Sequence, residues 1–446
     1  MSGNVVSTMP PKVFRVPLSC LAVLGASVLA GSAMAQDTLT LDDALRLARE
    51  NNGSIKAAYY DLDAAKARTK QSIGAFFPTV TPRLEWNNTR NVTDNSLGDS
   101  IFKDDGTTTG FNASWKIFDL GLRQYSLLGS RRSEDATRYD ALQTLRNILY
   151  TVHQQFYDAL RSEELLRVSE KQVERSQKIL EQTEFGASDE IGAFPKKDIL
   201  QAKADLLNAK VEYLKSKNLV ATSEASLKST IGWPNTKELP QLVKIDAPTD
   251  FPMPPPRDQV VEEGLRDRAD LQAQRKRVDA QVFSVKRADR EAGVSLDVDI
   301  NYSRDFSPNH NENRNLALLV TYPLFDGGQL REAARAQKFS LEAARKDLLQ
   351  AERQATAEIE SAYAEFVQNA ERVAAAKLAL EAAQLNYEAA TESQKEGIND
   401  LIAVLTAQVS LVTAESNYIE ATFDYYVSDV NLRLVTGKPM PGEANR

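Results

Sequence analysis

The sequence predicts a mixed α and β membrane protein in which short strands continue into very long helices. Three observations carry this: three segments that alternate apolar and polar residues and a fourth, apolar on both faces, that fits the same register, two Ala/Glu/Arg-rich stretches too long for a globular helix, and repetition of the whole pattern within the chain.

The chain has 446 residues, 42% hydrophobic and 26% charged, so it is not disordered. A net charge of -8, with no basic stripe broken by aromatics, argues against nucleic acid as a partner. Lys12 and Arg15, the small apolar run from Val16 to Ala30 and "SAMAQD" read as a secretory signal peptide over 1–35, cleaved after Ala35. That run is too short for a retained transmembrane helix. Cys20, the only cysteine, lies inside it. "PLSC" precedes the apolar run instead of ending it, which disfavours lipid attachment. A mature chain without thiols excludes disulfides, thiolate nucleophiles and cysteine metal sites.

The rest of the chain repeats. "FDLG" at Phe118 matches "FDGG" at Phe325, and "IGAFPKKDILQAKADLLNA" matches "EGINDLIAVLTAQVSLVTA" without a gap until "IGWP" meets "TGKP". "SIKAAYYDLDAAKARTK" resembles "DLQAQRKRVDAQVFSVK". An internal duplication follows, with a first repeat over 36–232, a Pro-rich linker over 233–257, a second repeat over 258–437 and a tail over 438–446. Each repeat reads as helix, two strands, long helix, break and helix.

In "VSLDVDINY", Val294, Leu296, Val298, Ile300 and Tyr302 alternate with Ser295, Asp297, Asp299 and Asn301. "TVTPRLEWN" sets Val80, Pro82, Leu84 and Trp86 against Thr81, Arg83, Glu85 and Asn87. "FNASWKI" sets Phe111, Ala113, Trp115 and Ile117 against Asn112, Ser114 and Lys116. "LALLVTYPLF" is apolar on both faces, with Leu316, Leu318, Val320 and Tyr322 in the same register. Pro82 fits only near a strand end or edge. The polar face is too charged for a core. A half-solvated antiparallel sheet on a soluble domain gives such alternation. So does a membrane barrel whose apolar face meets lipid and whose lumen is lined by Arg83, Glu85, Lys116, Asp297 and Asp299. "NNTRNVTDNSLGDSIFKDDGTTT" and "SRDFSPNHNEN" read as polar surface loops between strands.

The helical stretches decide between the two. From Gly327 to about Glu396 runs a proline-free segment, roughly 100 Å as a helix. A matching one follows Asp119. Large apolar residues are too few to bury such rods within one chain. Alanines such as Ala374, Ala375, Ala379, Ala382 and Ala383 let neighbouring helices approach closely. Gly192 and Pro195 mark the first chain reversal, Gly397 and Asn399 the second. Asp198 and Asp400 stand at the starts of the returning helices, where capping or dipole compensation is their ordinary role. Phe118, Asp119 and Gly121, and Pro323, Phe325, Asp326 and Gly328, form strand-to-helix joints. Asp326 reads as a helix cap, with the glycines easing the bend. Four strands leave open edges and cannot close alone. Two chains would give eight strands and three would give twelve, with room for a channel. Secretion, lipid-fit strands and these rods point to an outer membrane duct reaching into the periplasm.

The duplicated strand–strand–long-hairpin plan, the "YPLFDGG" joint and the "VLTAQ…Y…TGKP" ending closely resemble the TolC-like outer membrane efflux family, from about Leu39 to Pro439. The resemblance implies a homotrimer with a trimeric 12-stranded outer membrane β-barrel, four strands per chain, continuous with a periplasmic α-helical barrel. It implies as partners a periplasmic adaptor (membrane fusion) protein and an inner membrane transporter, besides outer membrane lipid. In this family acidic residues just before a D-V-L-x-A run narrow the periplasmic end. "DILQA" puts Asp198 there; "AVLTA" puts Ala403 there, with Asp400 one turn earlier as its substitute.

The expected function is passive: the exit duct of a tripartite efflux pump. A type I protein-secretion duct would share this architecture, and a periplasmic coiled-coil scaffold or adaptor is the reading from another class. No enzyme motif, cofactor fingerprint or metal spacing is present in the sequence. Of the two histidines, His153 reads as a polar helix-surface residue and His310 as a solvated loop residue.

Overall fold

The computed structural model describes residues 38–93, 100–186, 195–234, 236–245, 254–306, 311–395 and 400–443, with backbone alone at 89–93, 100–105 and 395. These residues open with β1 (Thr38–Leu39), α1 (Leu41–Asn51) and α2 (Gly53–Gly74). Thr40 caps α1, accepting the Asp43 N–H at 3.1 Å and donating to the Asp43 carboxylate at 2.7 Å. The sequence reads as one helix here, but Asn52 divides it. Its φ of -64° and ψ of 125° end α1, and its side-chain oxygen accepts the Ser54 and Ile55 N–H groups to start α2.

β2 (Thr79–Thr93), β3 (Ser100–Phe118), α3 (Leu122–Gly186, 65 residues) and α4 (Lys196–Ile231, 36 residues) follow. β4 (Gln241–Leu242) pairs in parallel with β1, so part of the Pro-rich connector docks on the beginning of the described chain. The same element order then returns as α5 (Arg257–Asp267), α6 (Ala269–Arg290), β5 (Ser295–Asp305), β6 (Glu312–Thr321), α7 (Gln329–Lys395, 67 residues) and α8 (Leu401–Val435). Between α5 and α6, Arg268 repeats the extended backbone of Asn52 but directs its guanidinium to Asp270 and Glu358.

The sheet is antiparallel in the order β2-β3-β5-β6. Pro82 sits on edge strand β2, where a missing N–H does least harm. The first hairpin is longer than its sequence implies, because β2 continues to Thr93 and β3 starts at Ser100. Polar composition reads as loop there, yet register set by Val80 to Trp86 carries the backbone ladder on. β6 ends at Thr321, so Tyr322 lies just past it.

Below the sheet, the helices bury three apolar clusters. The largest joins Leu45, Leu149, Phe156, Leu227 and Phe423. A second joins Ile359, Phe366 and Tyr425 near α5, and a third joins Ile179, Ala202, Leu401 and Val404 toward the ends of the long hairpins. α3 packs against α1, α2 and α4, and also against α6 and α8. α7 packs against α5, α6 and α8, all from its own half.

Candidate functional site

Strand pairing sorts the sheet into two faces. Across the strands run Pro82↔Phe111↔Tyr302, Ala113↔Ile300↔Leu316 and Trp115↔Val298↔Leu318 on one face. On the other run Ser114↔Asp299↔Ala317 and Lys116↔Asp297↔Leu319. Arg83 pairs with Gly110 and Glu85 with Thr108 on that same face. All five charged residues singled out in the sequence therefore share one side. Lys116 Nζ reaches Asp297 Oδ1 at 2.9 Å, Arg83 pairs with Glu85, and Asn112 Nδ2 donates to Asn301 at 2.7 Å. The apolar face is bare: Leu84 is 76% exposed and Leu316 74%. An uncovered sheet face of this kind needs another medium against it.

Asp119 and Asp326 hold the two joints in one geometry. The Gly121 and Arg123 N–H groups donate to the two Asp119 oxygens, each at 3.1 Å. The Gly328 and Leu330 N–H groups donate to those of Asp326 at 2.9 and 2.7 Å. Each carboxylate thus satisfies orphan donors at a helix start, where the helix dipole favours negative charge. Leu120 and Gly121 have φ of 51° and 88°, Gly327 and Gly328 φ of 68° and 87°. Leu120 adopts this left-handed backbone without being glycine, and Gly293 leaves room for its side chain, since a Cβ there would lie 2.0 Å from Leu120 Cδ1. Phe118 ends β3 after a register shift, and Pro323 and Phe325 follow β6, with Phe325 90% exposed.

The joints differ in one residue. Arg123 Nε donates to Asp119 at 2.7 Å, while its Nη atoms reach the Ala75 and Ile117 carbonyls at 3.3 and 3.2 Å. Its guanidinium lies 5.1 Å from the Phe76 ring centre. This one side chain ties the end of α2, the end of β3 and the start of α3. Leu330 takes the corresponding place in the second joint.

At the far end, Pro195 and Asp400 are the residues preceding α4 and α8, with matching ψ of 152° and 154° and no side-chain cap bond. Asp198, in the first turn of α4, is buried at 7% exposure, whereas Asp400 is exposed. Gly192, Gly397 and Asn399 lie outside the described residues, as does His310. Ser176 donates to Asp205 at 2.6 Å, and Gln408 donates to Ser176 at 2.8 Å, linking α3, α4 and α8.

His153 is not on the helix surface. It is 1% exposed, with Nδ1 2.8 Å from the Leu149 carbonyl, because this face of α3 packs on the largest apolar cluster. Burial pushes its pKa down, against a smaller upward pull from that carbonyl. The unfolded chain takes up this proton near pH 6.5 and the folded chain only at lower pH. The His153 contribution to stability is therefore complete above pH 6.5 and falls as pH drops below it. His153→Gln should flatten the decline of the thermal midpoint between pH 7.5 and 5, and an unchanged slope would contradict this. Among the described residues no group of carboxylates and histidines is arranged to hold a metal ion, and no helix is long and apolar enough to cross a membrane.

The sequence pattern of the outer membrane efflux protein family matches residues 44–233 and again 260–438. The chain belongs to that family. It is similar to the outer membrane efflux protein BepC of Brucella suis biovar 1, at 21% identity over 96% of this chain and 91% of BepC. It shares its fold with the outer-membrane channel OprN, at a TM-score of 0.78, 18% identity and 90% coverage of each chain. The Campylobacter jejuni CmeC outer membrane channel gives a TM-score of 0.76 at 17% identity, covering 90% of this chain and 86% of CmeC. As an outer membrane efflux protein the chain is placed in the outer membrane and extends into the periplasm.

Two residues that organise this efflux protein escape a reading by motif. Arg123 carries a weak signal, an Asp-x-x-x-Arg spacing shared with many exposed helix pairs. Arg146 carries none: its partners Gly437 and Glu443 lie at the other end of the chain.

Proposed function

We propose that the chain assembles as a homotrimer whose twelve strands close a barrel over a periplasmic helical tube, and that this tube is the passive exit duct of a tripartite efflux pump. The observation that carries the reading is the four-stranded sheet with two open edges, an exposed apolar face and a charged opposite face. Open edges do not persist in lipid, so β2 and β6 must find strands in other copies. The helices ask for the same neighbours: Leu207, Val211 and Leu214 on α4 and Leu349, Leu378 and Leu385 on α7 are exposed in the single chain. Arg83, Glu85, Lys116, Asp297 and Asp299 then line the lumen, and the joints carry the wall from lipid into the periplasm. A periplasmic adaptor and an inner membrane transporter supply cargo and energy. The repeated element order fits duplication of one ancestral unit.

The test is reconstitution. Purified protein should migrate as a trimer in detergent and give channel currents in planar bilayers. A monomer without conductance would remove the duct. At the narrow end the exposed Asp400 forms a carboxylate ring in the trimer, while the buried Asp198 compensates the α4 dipole. Asp400→Ala should raise conductance and lower cation preference, with Asp198→Ala acting less through the pore. Unchanged conductance and selectivity in Asp400→Ala would dismiss the ring.

A further inference from the structure

Among the contacts by which the first half meets the second is a clasp made by Arg146. From α3, its Nε and Nη2 donate to the Glu443 carboxylate at 3.1 and 3.2 Å, and its Nη1 donates to the Gly437 carbonyl at 2.9 Å. The pair is enclosed, with side chains 8% and 13% exposed. Gly437 is the left-handed glycine just past α8, at φ 68°. A planar guanidinium fork suits this combination of a carboxylate and a fixed carbonyl.

Every member of the clasp has a counterpart in the other half. Arg353 on α7 follows Asp326 at the spacing by which Arg146 follows Asp119. Asp140, Gln143, Glu174 and Gln177 recur as Asp347, Gln350, Glu381 and Gln384 in the same register, so the match is of whole helices. Gly232 ends α4 with the same φ of 68°, and Glu238 follows it as Glu443 follows Gly437. Both glycines close their helices alike: Trp233 N–H donates to Lys228 O at 2.9 Å, and Lys438 N–H to Arg433 O at 3.0 Å. Yet Arg353, Gly232 and Glu238 are exposed, and among the described residues neither charge has an ion-pair partner.

Other ion pairs between the halves do not recur. Arg161–Asp424 would map to Gln368 and Leu219, and Arg175–Glu415 to Ala382 and Lys210. Retention of all three groups of the Arg146 clasp alone marks it out. Among the described residues α7 also has no extensive packing against α2 or α4, the counterparts of the α6 and α8 helices that flank α3.

We propose that Arg353 of one copy grips Glu238 and the Gly232 carbonyl of the next copy, repeating between chains the clasp that Arg146 makes within one. The partner is a second copy of this chain, and the contact is head-to-tail, the kind that must close into a ring or run on. This rests on the homotrimer proposed above and assigns its interface contact. The same junction recurs around the ring, alternately within and between chains.

The experiment measures assembly in detergent by size-exclusion chromatography with light scattering, with helical circular dichroism as the folding control. Arg353→Glu should lose the assembled peak while keeping its helical signal, and adding Glu238→Arg should recover part of that peak. In the signal-free chain, which has no cysteine, the double variant Arg353→Cys/Glu238→Cys should be joined between chains by a bismaleimide crosslinker long enough to replace the two side chains, since a bonded arginine–glutamate pair holds its Cα atoms farther apart than a disulfide spans. Wild-type-like assembly of Arg353→Glu would overturn the clasp, as would a cysteine pair that stays at monomer mass while the wild-type chain assembles. A monomeric wild-type chain under the same conditions would instead remove the trimer on which the clasp rests.

Discussion

Asp119→Ala should destabilise the protein by about 3 kcal/mol, the range for removing one partner from a buried ion pair. The same substitution at Asp326 should have a much smaller effect, although the two residues share a motif and a hydrogen-bond geometry. The difference lies in Arg123. Its side chain is 15% exposed and that of Asp119 6% exposed, so Asp119→Ala leaves an enclosed guanidinium without a counter-charge, held by the Ala75 and Ile117 carbonyls and the Phe76 ring. Asp326 is exposed, and among the described residues no cation pairs with it. Its removal costs two backbone contacts that water can partly replace. Thermal midpoints, with hydrogen exchange at the first turns of α3 and α7, distinguish the cases. Equal losses in the two variants would show that Arg123 does not hold the first joint. Asp119→Asn should fall between, since the amide oxygen can still accept one N–H while the charge is gone.

The joints show where sequence was sufficient. Asp followed by a position with room for left-handed backbone is a local instruction, and it is written twice. The strand faces were equally legible, because a pleat has period two and Val298 or Asp297 can only point one way or the other once paired. What escaped depended on distant partners. His153 sits among polar neighbours in "YTVHQQFY", but the face it shares with Leu149 and Phe156 is covered by remote segments of the chain. Arg146 waits for a glutamate almost at the chain's end. The extension of β2 to Thr93 was hidden because the residues there are polar, and ladder pairing does not depend on apolar side chains once register is set. The helix break at Arg268 was hidden too, since nothing in its side chain resembles the capping amide of Asn52.

Two adjacent leucines on β6 offer the sharpest test of which sheet face meets lipid. Leu318 pairs with Val298 on the apolar side, and Leu319 pairs with Asp297 on the charged side. Both are exposed in the single chain, so neither substitution creates a cavity or a clash within it. Leu318→Arg places a cation in hydrocarbon, at about 2–4 kcal/mol per chain near the bilayer centre, and assembly multiplies that cost by the number of copies. Leu319→Arg places the same cation beside Asp297, in water. Leu318→Arg should therefore vanish from the outer membrane fraction, whereas Leu319→Arg should insert and weaken the cation preference of the channel. The reverse result would turn the barrel inside out. Equal tolerance of both would mean that neither face meets lipid, because water treats the two faces of a sheet alike and a bilayer does not.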